Sequence, residues 1–161
     1  MSPGPSSILT KDTLEVFCSK FLIDPALIFL SESGNKVVHQ DNKLAKSIGL
    51  NIEANKNLPD IILADRGPAT PIIIFTEIVH TDGPIDDSRK NALLSLALAG
   101  GFKAENVVFL TVFNDRSSQV YRKIVSSLAW GSFVWFVSEP DNIIVLKDKP
   151  LSSNQSLKDL L

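Results

Sequence analysis

The sequence predicts an α/β (α+β) domain in which a mixed β-sheet is flanked by helices. The first observation is size, since 161 residues suit one domain with a sizeable core. The second is composition, because 44% hydrophobic and 21% charged residues are ordinary for a globular protein. The third is pattern, since β-branched runs of strand length alternate with helical patterns in the second half of the chain.

The N-terminal part predicts a leader, a helix and three short elements. Residues 1–9 are rich in Pro, Gly and Ser and predict a flexible leader. The Thr-Lys-Asp-Thr sequence from Thr10, followed by apolar residues, predicts a capped amphipathic helix that ends before Asp24-Pro25. A short apolar run, a strand and a helix closed by Gly49 follow, over residues 26–30, 36–39 and 42–48.

The second half predicts a hairpin followed by alternating helices and strands. Two β-branched runs, residues 61–64 and 72–79, flank Asp65-Arg66-Gly67-Pro68, and this strong turn signal predicts an antiparallel hairpin. The remaining predicted elements are helices over residues 87–99 and 117–128 and strands over residues 107–113, 133–138 and 142–146. Residues 10–147 are therefore expected to form one domain, and residues 148–161 a polar tail.

Charge and hydropathy narrow the class of protein. The formal net charge is −2, which argues against holding nucleic acid by bulk charge alone. One Cys and two His cannot supply a disulfide framework or a four-ligand Cys/His zinc site. No apolar run reaches the length of roughly 18 residues that a membrane-spanning helix needs, and the start of the chain lacks the pattern of a signal peptide. The expected location is the cytoplasm, with no membrane partner.

Two acidic residues are the strongest candidates for chemistry. Glu77 lies inside an apolar strand, and by strand alternation it shares a face with Ile73 and Phe75. A carboxylate on that face is costly unless it is paired or bound to a cation. Asp60 begins the other strand of the hairpin, so both carboxylates could ligate one hard cation such as Mg²⁺. The alternatives are solvent exposure or pairing with an Arg for Glu77, and a loop or capping role for Asp60.

Several segments occur together in the order of a known family. Pro59-Asp60 followed by Glu77-Ile78-Val79 resembles the active site of PD-(D/E)xK nucleases. The string FTEIVHTDGPIDDSR resembles the catalytic region of the BsuBI/PstI family of restriction endonucleases. Later segments that are similar to the same family, in the same order, are residues 109–113 with Asp115-Arg116, residues 129–135 and residues 139–142.

The resemblance implies a restriction-endonuclease-like PD-(D/E)xK core and a Mg²⁺-dependent type II restriction endonuclease that cleaves double-stranded DNA at a specific site. Mn²⁺ is the expected substitute for Mg²⁺, and the implied metal ligands are Asp60, Glu77 and the main-chain carbonyl of Ile78. A homodimer on a palindromic site follows from the same resemblance. Members of the family carry a substantial region ahead of the catalytic part that helps to recognise DNA. The shorter stretch before Asp60 here is consistent either with a catalytic fragment or with a compact relative.

The nuclease motif has a Lys two residues after the second acid, where this chain has Val79. The resembled family also has an apolar residue there, so a cation is expected from elsewhere. On a helix from Asp87, Arg89 falls on the inward face with Leu93, whereas Lys90 lies toward the flank. Arg89 also matches the Gly-Pro-x4-Arg element of the family, so it is the preferred catalytic cation and Lys90 the reserve. The alternative for Arg89 is an ordinary ion pair.

The remaining polar and aromatic candidates have simpler interpretations. Arg116, Arg122 and Lys123 could contact DNA phosphates, or could form a solvated helix face. Trp130 and Trp135 are expected in the core. A second functional hypothesis is a catalytically inactive nuclease-fold domain used for DNA binding or assembly, and the absent Lys supports it.

Overall fold

A seven-stranded mixed sheet organises the molecule, with its strands in the order β2-β1-β3-β4-β5-β6-β7. The strands are β1 (Pro25–Glu32), β2 (Lys36–Gln40), β3 (Ile61–Asp65), β4 (Ile72–Ile78), β5 (Val107–Phe113), β6 (Ser132–Phe136) and β7 (Ile143–Leu146). The three central strands β4, β5 and β6 are parallel, and all other neighbours are antiparallel. The structure, a computed structural model, describes residues 4–32, 36–52, 57–80, 83–149 and 153–161. The predicted mixed sheet is confirmed.

In the described ranges, five α-helical segments flank the sheet. They are α1 (Pro5–Asp12), α2 (Cys18–Phe21), α3 (Asn42–Ser47), α4 (Asp87–Ala99) and α5 (Gln119–Ile124). A π-helical turn at Thr13–Phe17 joins the first two, and a 3₁₀ turn at Val125–Ser127 extends the last. No helix in the described parts of the chain is both long and apolar enough to cross a membrane.

Each face of the sheet carries its own core. On one face, α4 packs Leu93 and Ala97 into a cluster with Phe75 and Phe109, two aromatic residues from neighbouring strands. On the other face, the N-terminal helical segment packs Phe17 against Trp135, with ring centroids 5.5 Å apart. Trp135 is fully buried, as predicted. The sheet is therefore covered on both sides, which explains why its central strands read as continuous apolar runs.

The turn between β3 and β4 is fixed by a buried acid. Asp65 is 2% exposed and accepts hydrogen bonds from the backbone N–H groups of Ile23, Asp24 and Gly67 at 2.8–3.1 Å. Burial alone would raise the pKa of Asp65, but these three donors stabilise the carboxylate and bring its pKa below the usual value. Asp65 thus has a structural role and joins the hairpin to the start of β1.

Two predictions require correction. The first helix begins at Pro5, so residues 5–9 of the predicted leader are helical, because Pro suits a first helical turn and Leu9 is buried. Residues 1–3 lie outside the described residues. Trp130, predicted in the core, is 62% exposed, because its neighbours Leu128 and Ala129 occupy the buried positions before β6.

Candidate active site

The hairpin register sets two carboxylates side by side. Ile61 pairs with Thr76 across the antiparallel β3–β4 ladder, so Asp60 and Glu77 are the next facing positions. Asp60 Oδ2 accepts a hydrogen bond from the Ile78 backbone N–H at 2.8 Å. This bond ties the Asp60 side chain to the strand that carries Glu77.

Glu77 is a buried acid at the end of an apolar strand. Glu77 is 8% exposed, and its side chain points to the sheet face that α4 covers. Burial is the main cause that raises the pKa of Glu77 to about 8, and the neighbouring Asp60 carboxyl adds to it by repulsion and by a hydrogen bond between the two side chains. The Arg89 guanidinium opposes this rise only in part. The neutral form of Glu77 is therefore favoured near neutral pH.

The Arg89 side chain connects Glu77 to the segment that precedes Asp60 through three hydrogen bonds. Its Nε–H donates to Glu77 Oε1 at 2.8 Å. Its Nη1 and Nη2 groups donate to the backbone carbonyls of Asn57 and Leu58, at 2.8 and 2.9 Å. Arg89 thus holds the segment just before Asp60 against β4. The structure shows the inward orientation that was predicted for Arg89. It also shows an ion pair with Glu77, which was the alternative prediction for Arg89.

The position of Arg89 depends on how α4 begins. Asp86 caps the helix, because its side chain accepts the Arg89 backbone N–H at 2.8 Å. One residue earlier, the Ile85 N–H donates to Thr111 Oγ1 at 3.2 Å. Thr111 lies next to Glu77 in the β4–β5 register, so the strand beside the acid also anchors the helix.

An open cleft of about 650 Å³ lies in front of this arrangement. Its lining residues come from the segment before β3, the end of β4 and the start of α4: Asn57, Glu77, Gly83, Pro84, Asp86, Ser88, Arg89 and Ala92. Glu77 and Arg89 are therefore reachable by a ligand that enters from solvent.

The structure does not bring the reserve cation to the acids. Lys90 Nζ donates to the Trp130 carbonyl at 2.7 Å and lies 5.8 Å from the centre of the Phe109 ring. Arg122 and Lys123 are exposed on α5. Within the described residues, no group of three or more His, Cys, Asp or Glu side chains could hold a metal ion. A metal at this site would therefore depend on two carboxylates and main-chain oxygen.

Sequence reasoning missed three partners of the site. The Asn57 and Leu58 carbonyls could not be identified from the sequence, because every residue has a backbone carbonyl. Thr111 had a signal, since it is the only polar residue in the strand Val107–Phe113. A buried hydroxyl in such a strand calls for a hydrogen-bond partner.

Comparison with a solved structure gives the class of protein. The match described as the structure of SdaI restriction endonuclease has a TM-score of 0.77 at 23% sequence identity, over 94% of this chain and 47% of that chain. The fold is therefore that of a restriction-endonuclease-like domain. The chain belongs to the BsuBI/PstI restriction endonuclease domain family, whose model matches residues 1–149. The predicted resemblance is confirmed.

Two curated relatives are type II restriction enzymes. BsuBI of Bacillus subtilis is 26% identical over 144 residues, which are 89% of this chain and 43% of that enzyme. AplI of Arthrospira platensis is 28% identical over 150 residues, with 89% and 44% coverage. The chain spans less than half the length of these relatives.

Proposed function

We propose that this chain is the catalytic domain of a Mg²⁺-dependent type II restriction endonuclease, a site-specific deoxyribonuclease that hydrolyses phosphodiester bonds of double-stranded DNA. One observation carries the proposal: Asp60 and the buried Glu77 take facing positions on two neighbouring strands of a restriction-endonuclease-like sheet, and Glu77 lines an open cleft. The family and the named activity of its relatives support the same function.

Asp60, Glu77 and the Ile78 main-chain carbonyl would hold the cation. The donor set fits Mg²⁺, because hard oxygen ligands and one or two carboxylates are what this ion prefers. Mn²⁺ accepts the same ligands and is proposed to substitute. The repulsion between the two carboxyl groups also favours a cation, since a divalent ion between them would offset it.

When bound, the cation supplies charge stabilisation at the scissile phosphate and promotes ionisation of the attacking water. Arg89 holds Glu77 and the segment before Asp60 in fixed relative positions, so that both acids keep their spacing. Its positive charge also offsets negative charge that develops nearby. A guanidinium is a poor base, so the role of Arg89 is electrostatic and positional.

The proposal also covers the residues that contact DNA and the oligomeric state of the protein. Arg116, Arg122 and Lys123 are proposed to contact the DNA, with the two α5 residues binding phosphates. A homodimer would present one active site to each strand of a palindromic sequence. The matched segment is less than half of each relative, and we propose that a region ahead of the catalytic part contributes to DNA recognition in proteins of that length. The reaction is assigned to the cytoplasm.

The test is cleavage of plasmid DNA by the chain with Mg²⁺ or Mn²⁺. Asp60→Asn and Glu77→Gln remove the charges of the proposed ligands, and Glu105→Gln removes an exposed acid before β5, away from the acid pair. We expect discrete fragments from the parent and from Glu105→Gln, and none from the other two variants. Equal cleavage by all four proteins would overturn the proposal.

The catalytically inactive alternative rests on Val79, which stands where the nuclease motif has its Lys. A folded parent chain that binds DNA but leaves it intact with either metal would favour that alternative.

A further inference from the structure

Arg116 and Glu139 form a bidentate ion pair at the surface. Arg116 Nε and Nη2 donate to the two oxygens of Glu139 at 3.0 and 3.1 Å. The Arg116 side chain is 60% exposed and that of Glu139 34% exposed. A bidentate Arg–carboxylate pair is stronger and more specific in geometry than most surface ion pairs. The Glu139 carboxylate therefore fixes the plane of the Arg116 guanidinium and decides which of its N–H groups stay available.

The pairing leaves one edge of the guanidinium free. A carboxylate that binds Nε and Nη2 occupies the side of the guanidinium and leaves its end, formed by Nη1 and Nη2, open. Across the described residues, the hydrogen bonds of the Arg116 side chain go to Glu139 alone. The open end presents two parallel N–H donors, which match the O6 and N7 acceptors of guanine in the major groove.

The pair lies at the catalytic edge of the sheet. Arg116 follows the C-terminal end of β5, and Glu139 follows that of β6. Because β4, β5 and β6 are parallel, these ends meet at one edge, and Glu77 lies near the same end of β4. Arg116 therefore lies at the same edge of the sheet as Glu77.

The turn that carries Glu139 is held from two sides. The Trp135 Nε1–H donates to the Pro140 carbonyl at 3.1 Å. Lys20 Nζ donates to Asp141 Oδ1 at 2.7 Å and links the turn to the N-terminal helical segment. A small concavity of about 190 Å³ adjoins the pair and includes Asn142 in its lining. Glu139 is thus fixed by its surroundings, and Arg116 is fixed by Glu139.

We propose that Arg116 reads a guanine base of the bound DNA through its open end, with Glu139 as the residue that positions it. The inference rests on the proposed function for the presence of DNA. It assigns Arg116 to sequence selection, whereas Arg122 and Lys123 keep the phosphate contacts. Arg116→Lys keeps the charge but lacks the planar fork that can bind the Glu139 carboxylate and a base at the same time.

The test is binding of the full chain to a duplex library with eight randomised base pairs, in Ca²⁺ so that binding is separated from cleavage. We expect the parent to enrich a guanine at a fixed position. Arg116→Ala should lose that preference by roughly 10- to 100-fold, the usual discrimination of one bidentate contact. Arg116→Lys should lose most of it, and Arg122→Ala should weaken binding to all sequences equally.

A base substitution completes the test. Replacing the selected guanine by 7-deazaguanine removes the N7 acceptor, so it should weaken the parent and have no further effect on Arg116→Ala. A uniform loss of binding in Arg116→Ala would indicate a phosphate contact and overturn the inference, as would the absence of any duplex binding by the folded parent. Plasmid cleavage is scored separately. A nuclease without guanine preference contradicts only this inference, and a guanine-selective protein that does not cleave contradicts only the nuclease.

Discussion

Glu77 is stabilised in its neutral form by the metal-free protein. Burial and the nearby Asp60 carboxyl raise the pKa of Glu77 to about 8, from an ordinary value of 4.5. A carboxyl with a raised pKa in the folded state stabilises the fold fully below its unfolded pKa, and this contribution is lost as pH rises through the folded value. A divalent cation bound at the proposed site would offset the cost that remains at high pH.

The raised pKa of Glu77 predicts how the stability of the metal-free protein changes with pH. Between about pH 4.5 and 8, the free energy of unfolding of the parent should fall relative to Glu77→Gln, because the variant carries no titrating group there. The slope should be on the order of 1 kcal/mol per pH unit. Urea unfolding of both proteins in EDTA measures it. A parent and variant whose stabilities stay parallel across this range would show that Glu77 is not perturbed.

Arg89 is predicted to act by position. Arg89→Lys keeps the charge but cannot donate to Glu77 and to both carbonyls at once. We expect a loss of about 100-fold in cleavage rate, the usual effect of a misplacement of about 1 Å at an active site. The free energy of unfolding should fall by about 1–3 kcal/mol, because the partly buried acceptors at Glu77 and at the Leu58 carbonyl lose their donors.

Lys90→Met is the matched control for Arg89→Lys. Its side chain contacts Trp130 and Phe109 and not the acids, so cleavage should stay close to that of the parent. The reverse pattern, an active Arg89→Lys beside an inactive Lys90→Met, would assign the catalytic cation to Lys90.

At the scale of elements, β5 positions α4. The Thr111 hydroxyl accepts the Ile85 N–H, and Ile85 is fully buried just before the helix. Thr111→Val preserves the shape and leaves that N–H without a partner, so it should cost about 1–3 kcal/mol of stability and reduce cleavage with it. Thermal unfolding and plasmid cleavage measure the two effects.

Thr76→Val is the matched control on the neighbouring strand. Thr76 is equally buried, and its hydroxyl has no hydrogen-bond partner among the described residues. Its replacement should therefore be neutral or stabilising. Equal destabilisation by both variants would mean that the Thr111 hydroxyl does not anchor α4.

The sequence predicted these elements where their patterns are strong. The bounds predicted for α4 and β5 agree with the structure. A long periodic helical pattern and a continuous apolar run of strand length each indicate one type of secondary structure clearly. Glu77 was recognisable because an acid stands out in an apolar strand. The exposure of Trp130 and the Arg116–Glu139 pair were not predictable, since both depend on which residues the sheet order brings together.

At the scale of the whole molecule, both faces of the sheet are covered and one edge is open. The helices bury the apolar faces, while the C-terminal ends of β4, β5 and β6 bring Glu77, Arg116 and Glu139 to the same edge. Because the net charge is −2, the proposed attraction to DNA would come from local groups at that edge and not from the charge of the whole chain. The proposed function therefore depends on one local property of the molecule: Asp60 and Glu77 together hold a divalent cation.

Calorimetric titration of the chain with Mn²⁺ at pH 8 tests this claim most directly. We predict one Mn²⁺ per chain in the parent and in Glu105→Gln, and at least a 10-fold loss of affinity in Asp60→Asn and in Glu77→Gln, since each removes one of two charged ligands. Unchanged Mn²⁺ affinity in both variants, with their folding verified, would contradict it.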